Sequence, residues 1–211
     1  PIKSYLVGWD FPLNPAQANG DSVVAVNTGA NKGYYIWDQT IAYQTVTSSI
    51  TTSRDASGGL KLLCAVNGQI GIIQYLDAQY AIQVLNEITS INVSALASPV
   101  GGIVATVSLW YTTNAQLPNV ASGTSNTFIN SLNANSTILT VASGWVEVPR
   151  GSEGEATFTI MPSGDTYFND TGFSGWNLDD FTIANTATYI AIAVTTAPMT
   201  VGQYLIFNSV S

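Results

Sequence analysis

The chain has 211 residues, of which 46% are hydrophobic and only 9% are charged, with a net charge of −8; this composition is typical of a neutral-surfaced extracellular or virion domain rather than a cytosolic helical enzyme. Its five basic residues are scattered, which disfavours a nucleic-acid partner, and no apolar run is long enough for membrane insertion. The chain has no histidine, so it lacks the commonest general base and the commonest zinc ligand. It has a single cysteine, so no intrachain disulfide can form. We therefore expect no enzyme and no cofactor.

The first half of the chain reads as strands separated by polar turns. Strands are predicted over 22–26, 34–46, 60–66 and 69–77. The last two flank Asn67-Gly68, a dipeptide that favours positive φ and therefore predicts a tight hairpin. From Asp77 to Ile88 the apolar residues recur at helical spacing, and Asp77 is a suitable N-cap. This segment predicts one short helix.

The second half repeats the strand pattern. Strands are predicted over 91–97, 103–113, 137–143, 145–148, 156–161, 189–196 and 203–210, with a polar loop over 114–136 and an aromatic, aspartate-rich loop over 164–181. Some ten strands with one short helix predict an all-β fold, a two-sheet antiparallel β-sandwich of jelly-roll type. We expect a single domain over residues 1–211, forming part of a longer chain or a processed product.

The strand at 103–113 carries the first candidate site. Its odd positions are apolar, which predicts a core-facing side, and its even positions, from Val104 to Thr112, are predicted to face solvent. An aromatic ring among hydroxyl groups suits a sugar, because the ring stacks on the sugar face and the polar groups orient it. Tyr75 and Asp77 share one face of the 69–77 strand, and Tyr75 would line one groove with Trp110 if the two strands were neighbours. The carbohydrate-binding residues predicted here are Trp110, Tyr75, Asp77, Ser108 and Thr112. In the alternative, a loop or another subunit covers this face.

The loop at 164–181 is a second candidate, with Tyr167 and Trp176 as ligand contacts, because long aromatic loops at the ends of sandwiches often bind ligands. Its four aspartates are oxygen ligands of the kind calcium prefers, but their spacing does not match an EF-hand loop, so no metal site is predicted.

Three glutamates, at 147, 153 and 155, surround a turn. We interpret them as solvated charges rather than the carboxylate pair of a glycosidase.

Short motifs along the chain resemble one known family. The opening GWDFPLNPAQ (8–17) resembles the "GDF…NPWQ" opening of jelly-roll modules in phage tail fibres and other virion proteins, which are similar to carbohydrate-binding modules of families 4 and 9. YYIWDQ (34–39) resembles the following "YxxDRW" strand without its basic residue, Gly144-Trp145 matches a later "GW", and QYLIFNSVS (203–211) resembles the closing strand. The resemblance implies a jelly roll, extracellular glycan contact and frequent trimeric assembly, and it carries over no catalytic residues.

Two functions are therefore expected. In the first, the chain is a non-catalytic glycan-binding module of a phage or viral receptor-binding or tail protein, located in the virion or outside the cell. Its partners would be a glycan or host-surface polysaccharide, further copies of itself, with a trimer favoured by the resemblance, and other virion proteins. In the second, it is a structural virion domain, such as a fibre tip, spike or capsid component, whose aromatic residues serve subunit assembly.

The strand-rich pattern leads to a direct test of the secondary structure. We expect the far-UV circular dichroism spectrum to show less than about a quarter helix, since ordinary domains reach about a third. A helix content above that value would contradict the all-β assignment.

Overall fold

The computed structural model describes the backbone of a set of separate segments and, for many of them, the side chains. These segments are residues 24–26, 33–37, 40–44, 50–56, 58–77, 88–89, 92–113, 129–132, 139–141, 145–147, 157–162, 166–169, 176–177 and 189–210. All regular structure in these segments is β-strand, and the strands form two large antiparallel sheets and two small two-stranded ones. The predicted all-β sandwich is therefore confirmed. In the described segments no helix is long and apolar enough to cross a membrane.

One sheet has six strands. Their order across the sheet is β1 (Val24–Val26), β4 (Ile50–Arg54), β5 (Leu60–Cys64), β17 (Tyr204–Val210), β8 (Asn92–Ala97) and β14 (Thr166–Asn169). Because β5 and β17 occupy the middle, a strand from the first third of the chain pairs with the last strand. This long-range pairing ties the C-terminal strand into the centre of the fold.

The other sheet has seven strands. Their order is β12 (Trp145–Glu147), β9 (Ile103–Thr112), β16 (Tyr189–Thr196), β6 (Ile70–Asp77), β3 (Thr40–Gln44) and β2 (Gly33–Trp37), with β13 (Thr157–Ile160) paired to the first half of β9. Two small sheets complete the described structure: β10 (Ile129–Leu132) with β11 (Leu139–Val141), and β7 (Ile88–Thr89) with β15 (Trp176–Asn177). β16 lies between β9 and β6, so residues from three strands share each row across the centre.

The main core lies between the two sheets. It consists of alternate residues from facing strands, all at most 4% exposed: Leu60, Leu62, Cys64, Ala95, Leu205 and Phe207 from the six-stranded sheet, and Ile103, Ala105, Val107, Leu109, Ile190 and Val194 from the seven-stranded sheet. The odd positions of β9 are thus core residues, as its alternation predicts.

Cys64 is buried and free, and burial raises the pKa of its thiol above 9.0. It therefore packs as a small apolar side chain.

The predicted hairpin at Asn67-Gly68 is wrong. β5 belongs to the six-stranded sheet and β6 to the seven-stranded sheet, so this dipeptide lies on a segment that crosses from one sheet to the other. Gly68 bonds instead to Met199, with N–O distances of 3.0 and 2.8 Å in the two directions, and the Asn67 side chain accepts a hydrogen bond from the Val201 amide at 2.9 Å. These bonds join the β5–β6 crossover to the β16–β17 crossover, which runs beside it.

Six connections between consecutive strands change sheet at the same end of the sandwich, which we name the crossover end. They connect β1 to β2, β3 to β4, β5 to β6, β8 to β9, β13 to β14 and β16 to β17, and their described parts are residues 65–69, 98–102, 161–162 and 197–203. Backbone hydrogen bonds continue along the row: the Ser98 amide donates to the Tyr204 carbonyl at 2.9 Å, and the Ala97 amide to the Met161 carbonyl at 3.1 Å. Because each segment changes sheet, the crossovers connect the two layers covalently at this end.

Other predicted boundaries need correction. The predicted helix begins at Asp77 and ends at Ile88, but both residues belong to strands; residues 78–87 lie outside the described segments. The predicted loops at 114–136 and 164–181 contain strands β10, β14 and β15. In each case short strands with many polar residues lack the long alternation that marks a strand in the sequence.

The core between the sheets supplies a stability test. Phe207 is the largest fully buried side chain described, so Phe207→Ala should lower the free energy of unfolding by about 3–5 kcal/mol. The matched control is Val146→Ala, because Val146 is 49% exposed on the edge strand β12; this change should cost within about 0.5 kcal/mol. Urea denaturation of both variants measures the difference, and equal losses would place the core elsewhere.

Candidate functional site

The second face of the seven-stranded sheet points away from the six-stranded sheet, because successive side chains of a strand point to opposite sides. The register assigns its rows. Trp110 on β9 and Tyr75 on β6 both pair with Ala191 on β16, and Glu147 on β12 pairs with Trp110. One row across this face therefore contains Glu147, Trp110, Ala191 and Tyr75, in that order.

The adjacent row lies one step closer to the end opposite the crossovers. Trp145 pairs with Thr112, Thr112 with Tyr189, and Tyr189 with Asp77. The two rows together carry four aromatic residues within a short length of sheet. We call this surface the aromatic face, and its four rings are those of Trp110, Trp145, Tyr75 and Tyr189.

The aromatic face has a buried floor. Ile73, Trp145, Ala191 and Ala193 form a cluster in which each is at most 7% exposed, and Tyr75, Trp110 and Tyr189 pack against it while remaining partly exposed. The ring centroids of Tyr75 and Trp145 are 6.0 Å apart, with the ring planes tilted by 44°, a distance favourable for aromatic contact. Because β9 and β16 lie between the strands of these two residues, their rings must extend over the sheet to meet, and Ala191 is small enough to leave that space.

Trp110 is held in place along its own strand. Its indole Nε1 donates a hydrogen bond to the Ser108 hydroxyl at 2.9 Å, two residues back on the same face. This bond satisfies the one polar atom of the ring and fixes the ring's orientation on the sheet. A preordered ring loses little conformational freedom when a ligand stacks on it.

The face is more covered than the sequence predicts. Ser108 is 6% exposed and Thr112 only 1% exposed, so the expectation that the even side of β9 faces solvent is wrong at these two positions. Thr112 shares its row with the large, buried Trp145. An alternation pattern cannot reveal this, because it does not show that an aromatic residue from a distant strand lies across the same face.

The strands of Trp110 and Tyr75 are not direct neighbours. β16 lies between them, which places their backbones roughly 10 Å apart across two strand spacings. The condition on which the sequence placed both residues in one groove is therefore not met, although both lie in one row of the same face because each pairs with Ala191. The backbone register also brings Asp77 to this face, opposite Tyr189.

The two residues of the second candidate lie elsewhere. Tyr167 on β14 pairs with Ser94 in the six-stranded sheet, and Trp176 on β15 pairs with Thr89 in a separate two-stranded sheet. Neither strand belongs to the sheet that carries Trp110. The four aspartates considered for calcium lie outside the described segments, within which no group of three or more histidine, cysteine or acidic side chains is positioned to hold a metal ion.

Sequence reasoning missed three members of the site. Trp145 is buried, and it packs on the aromatic face and not between the sheets. Tyr189 and Ala191 appear only as part of a general strand pattern. All three are small or aromatic residues that lie on the same side of β12 or β16. The sequence shows these residues, but it does not show that the two strands belong to one face until the strand order is known.

Glu147 also belongs to this face rather than to a freely solvated turn. Its side chain is exposed, yet desolvation raises its pKa above the ordinary 4.5, which agrees with a position opposite Trp110. Glu153 and Glu155 lie outside the described segments.

Comparisons with protein families and with curated proteins return no match. Among solved structures, the chain is similar to TmCBM61 in complex with β-1,4-galactotriose, at 6% identity over 99% of this chain and 97% of that chain, with a TM-score of 0.38. It is similar to the family 22 carbohydrate-binding module of Clostridium thermocellum Xyn10B at 13% identity, over 87% and 96%, with a TM-score of 0.40. It is also similar to an engineered Cel12A cellulase of Rhodothermus marinus at 13% identity, over 90% and 99%, with a TM-score of 0.35. These values are too low to transfer a ligand or a reaction to this chain.

The position of Glu147 predicts a pH dependence of stability. A carboxyl whose pKa is higher in the folded than in the unfolded chain opposes folding when it is ionised, so its cost is absent below its ordinary value of 4.5 and grows as the pH rises through the folded pKa. Glu147→Gln should therefore raise the melting temperature at neutral pH and leave it unchanged at low pH. Melting curves of the variant and the wild type across this range measure the difference, and a variant that is less stable at neutral pH would contradict the assignment.

Proposed function

We propose that the chain is a non-catalytic glycan-binding module and that the aromatic face is its binding surface. The observation that carries the proposal is the partly exposed set of Trp110, Tyr75 and Tyr189 around a buried aromatic and alanine floor. Aromatic rings offer apolar area to the C–H face of a sugar, and their neighbours supply the polar groups that orient it. Glu147 and Asp77, at the two ends of these rows, are suitable acceptors for sugar hydroxyl groups.

The biological setting belongs to the same proposal. We propose that the module works outside the cell or in a virion, as part of a phage or viral receptor-binding or tail protein that contacts a host-surface polysaccharide. The support for this is the small share of charged residues, 9% of the chain, and the motif resemblance described for the sequence. A homo-oligomer, with the trimer that the resemblance favours, is part of this proposal.

A purely binding role also fits the chemistry that the described residues offer. Glycoside hydrolysis ordinarily needs two carboxyl groups placed on either side of the scissile bond. Within the described segments, Glu147 and Asp77 are the acidic residues that the register brings to the aromatic face, and the strands β9 and β16 separate them. With two strands between them their backbones are roughly 14 Å apart, which places this pair poorly for such a reaction.

The alternative function is a structural virion domain whose aromatic residues serve assembly. It uses the same rings, so burial of the aromatic face alone does not separate the two. The two functions differ in what binds the aromatic face. A glycan binds it if the chain is a glycan-binding module, and another subunit binds it if the chain is a structural virion domain. Measurement of glycan binding and of molecular mass on the same aromatic variants therefore decides between them.

The central test is Trp110→Ala. Loss of the stacked ring should weaken binding to the best ligand from an array of neutral and acidic polysaccharide fragments by about thirtyfold, equivalent to about 2 kcal/mol. Because Trp110 is partly buried and bonded to Ser108, the variant should also lose about 1–2 kcal/mol of stability, less than the 3–5 kcal/mol expected for a buried tryptophan such as Trp145. Isothermal titration and urea denaturation measure the two effects.

The matched control is Tyr204→Ala. Tyr204 is a partly buried aromatic residue of the six-stranded sheet, where the Lys61 ammonium lies 4.1 Å from its ring centroid. Its removal should leave glycan affinity unchanged. A second variant, Trp176→Ala, tests the loop candidate. If no array glycan binds the wild type, or if Trp176→Ala abolishes binding while Trp110→Ala does not, the proposed site is wrong. If Trp110→Ala leaves glycan binding intact but lowers the molecular mass, the assembly role is favoured.

A further inference from the structure

The segment that joins β5 to β6 contains the Asn-Gly pair at 67–68; the sequence has one other such pair, at 19–20. In an Asn-Gly pair the glycine nitrogen can attack the carbonyl carbon of the asparagine side chain, because glycine has no Cβ to hinder the approach and reaches conformations closed to other residues. A cyclic imide forms and ammonia leaves. Water then opens the imide, which leaves aspartate or isoaspartate.

In the folded chain both reacting groups of this pair bond to other atoms. The Gly68 amide donates a hydrogen bond to the Met199 carbonyl at 3.0 Å, which holds the proton on the nitrogen that would have to attack. The Asn67 side-chain oxygen accepts a hydrogen bond from the Val201 amide at 2.9 Å, which directs the carboxamide towards the neighbouring crossover and away from its own backbone. Asn67 is exposed to solvent, so these bonds, rather than burial, protect the pair.

The two crossovers are joined on both sides of Asn67. The Met199 amide donates back to the Gly68 carbonyl at 2.8 Å. Before Asn67 in the chain, the amide and the carbonyl of Cys64 both bond to the backbone of residues 202–203, each at 2.9 Å. The reacting groups are therefore released together only when the two crossovers separate, which is the kind of local opening that folded proteins undergo without unfolding globally.

We propose that Asn67-Gly68 is a modification site that reacts when these two crossovers separate and that its isoaspartate product then keeps them apart. In the first step a bond forms between the Gly68 nitrogen and Asn67 Cγ, the Cγ–Nδ2 bond breaks, and the amide proton leaves with Nδ2 as ammonia. In the second step one water molecule hydrolyses the imide. Attack at Cγ gives aspartate, and attack at the backbone carbonyl of residue 67 gives isoaspartate, in which the main chain runs through the side-chain carboxyl group.

The two products differ in what they do to the crossovers. Aspartate retains a side-chain oxygen that accepts from the Val201 amide, so the original contact re-forms. Isoaspartate inserts a methylene group into the main chain, which displaces Gly68 so that its amide and carbonyl no longer match those of Met199. The change stays at the crossover end, because β6 begins only at Ile70. The aromatic face lies towards the opposite end, so this site and the proposed glycan site are independent.

The turn that holds the Asn67 side chain offers a selective test. The Gln203 amide donates to the Thr200 carbonyl at 3.0 Å and Gly202 has a φ of 87°, which is the pattern of a type II turn with Val201 at its second position. Proline is common at that position and has no amide hydrogen. Val201→Pro therefore removes the donor to Asn67 and retains the turn. The matched control is Val201→Ala, which also shortens the exposed side chain but keeps the amide.

The experiment incubates the full-length wild type and both variants in mildly alkaline buffer, folded and in urea. Peptide mass spectrometry measures deamidation at Asn67, with Asn19 as the internal reference in urea, and isoaspartyl methyltransferase labelling measures isoaspartate. In urea all three chains should react at one rate. Folded wild type and Val201→Ala should react at least about tenfold more slowly than in urea. Folded Val201→Pro should react roughly two- to tenfold faster than Val201→Ala, the factor given by the loss of one ordinary hydrogen bond.

Three results would overturn the proposal. One is a folded wild type that deamidates at Asn67 as fast as in urea, and another is a Val201→Pro variant, folded by circular dichroism, that reacts no faster than Val201→Ala. The third uses the wild type alone and so holds even if Val201→Pro does not fold. Hydrogen exchange at the Gly68 and Met199 amides should be faster in the isoaspartate-containing fraction than in unmodified chains, and equal exchange would show that the modification leaves the crossovers joined.

Discussion

The small side chains of Ala191 and Ala193 on β16 are the constraint on which the aromatic face depends. β16 lies between β9 and β6 and is buried on both sides, with Ile190 and Val194 directed to the core between the sheets and the two alanines on the opposite side. Larger residues at 191 or 193 would occupy the space over which Trp145 and Tyr75 meet. One strand thus fills the core with its branched residues and makes room for the site with its small ones.

The two ends of the sandwich differ because of how the chain connects the sheets. At the crossover end, the described segments that pass between the layers bond to one another through their backbones, and large apolar side chains such as Val100 and Val201 are exposed there. At the other end the described β4–β5 connection is a turn within one sheet, with Arg54 and Asp55.

Three of the motifs fall on described strands, and YYIWDQ supplies residues 34–37 of β2. Gly144-Trp145 opens β12 with the tryptophan that forms the buried part of the aromatic face, and QYLIFNSVS supplies β17, which pairs with β5 and β8. The opening GWDFPLNPAQ lies outside the described segments. The motifs on described strands therefore contribute to both large sheets.

The sequence by itself determined the fold class and the core-facing side of β9, and it pointed to Trp110 and Tyr75, which the strand register places in one row. Alternation is a local property, and it assigns residues to one side of a strand without knowledge of the neighbours. Only the tertiary structure decided that Asn67-Gly68 crosses between sheets, that Trp145 lies over Thr112, and that Ala191 separates Trp110 from Tyr75. Each of these depends on which strands pair, and strand order follows from long-range packing of residues far apart in the chain, which a local pattern does not encode.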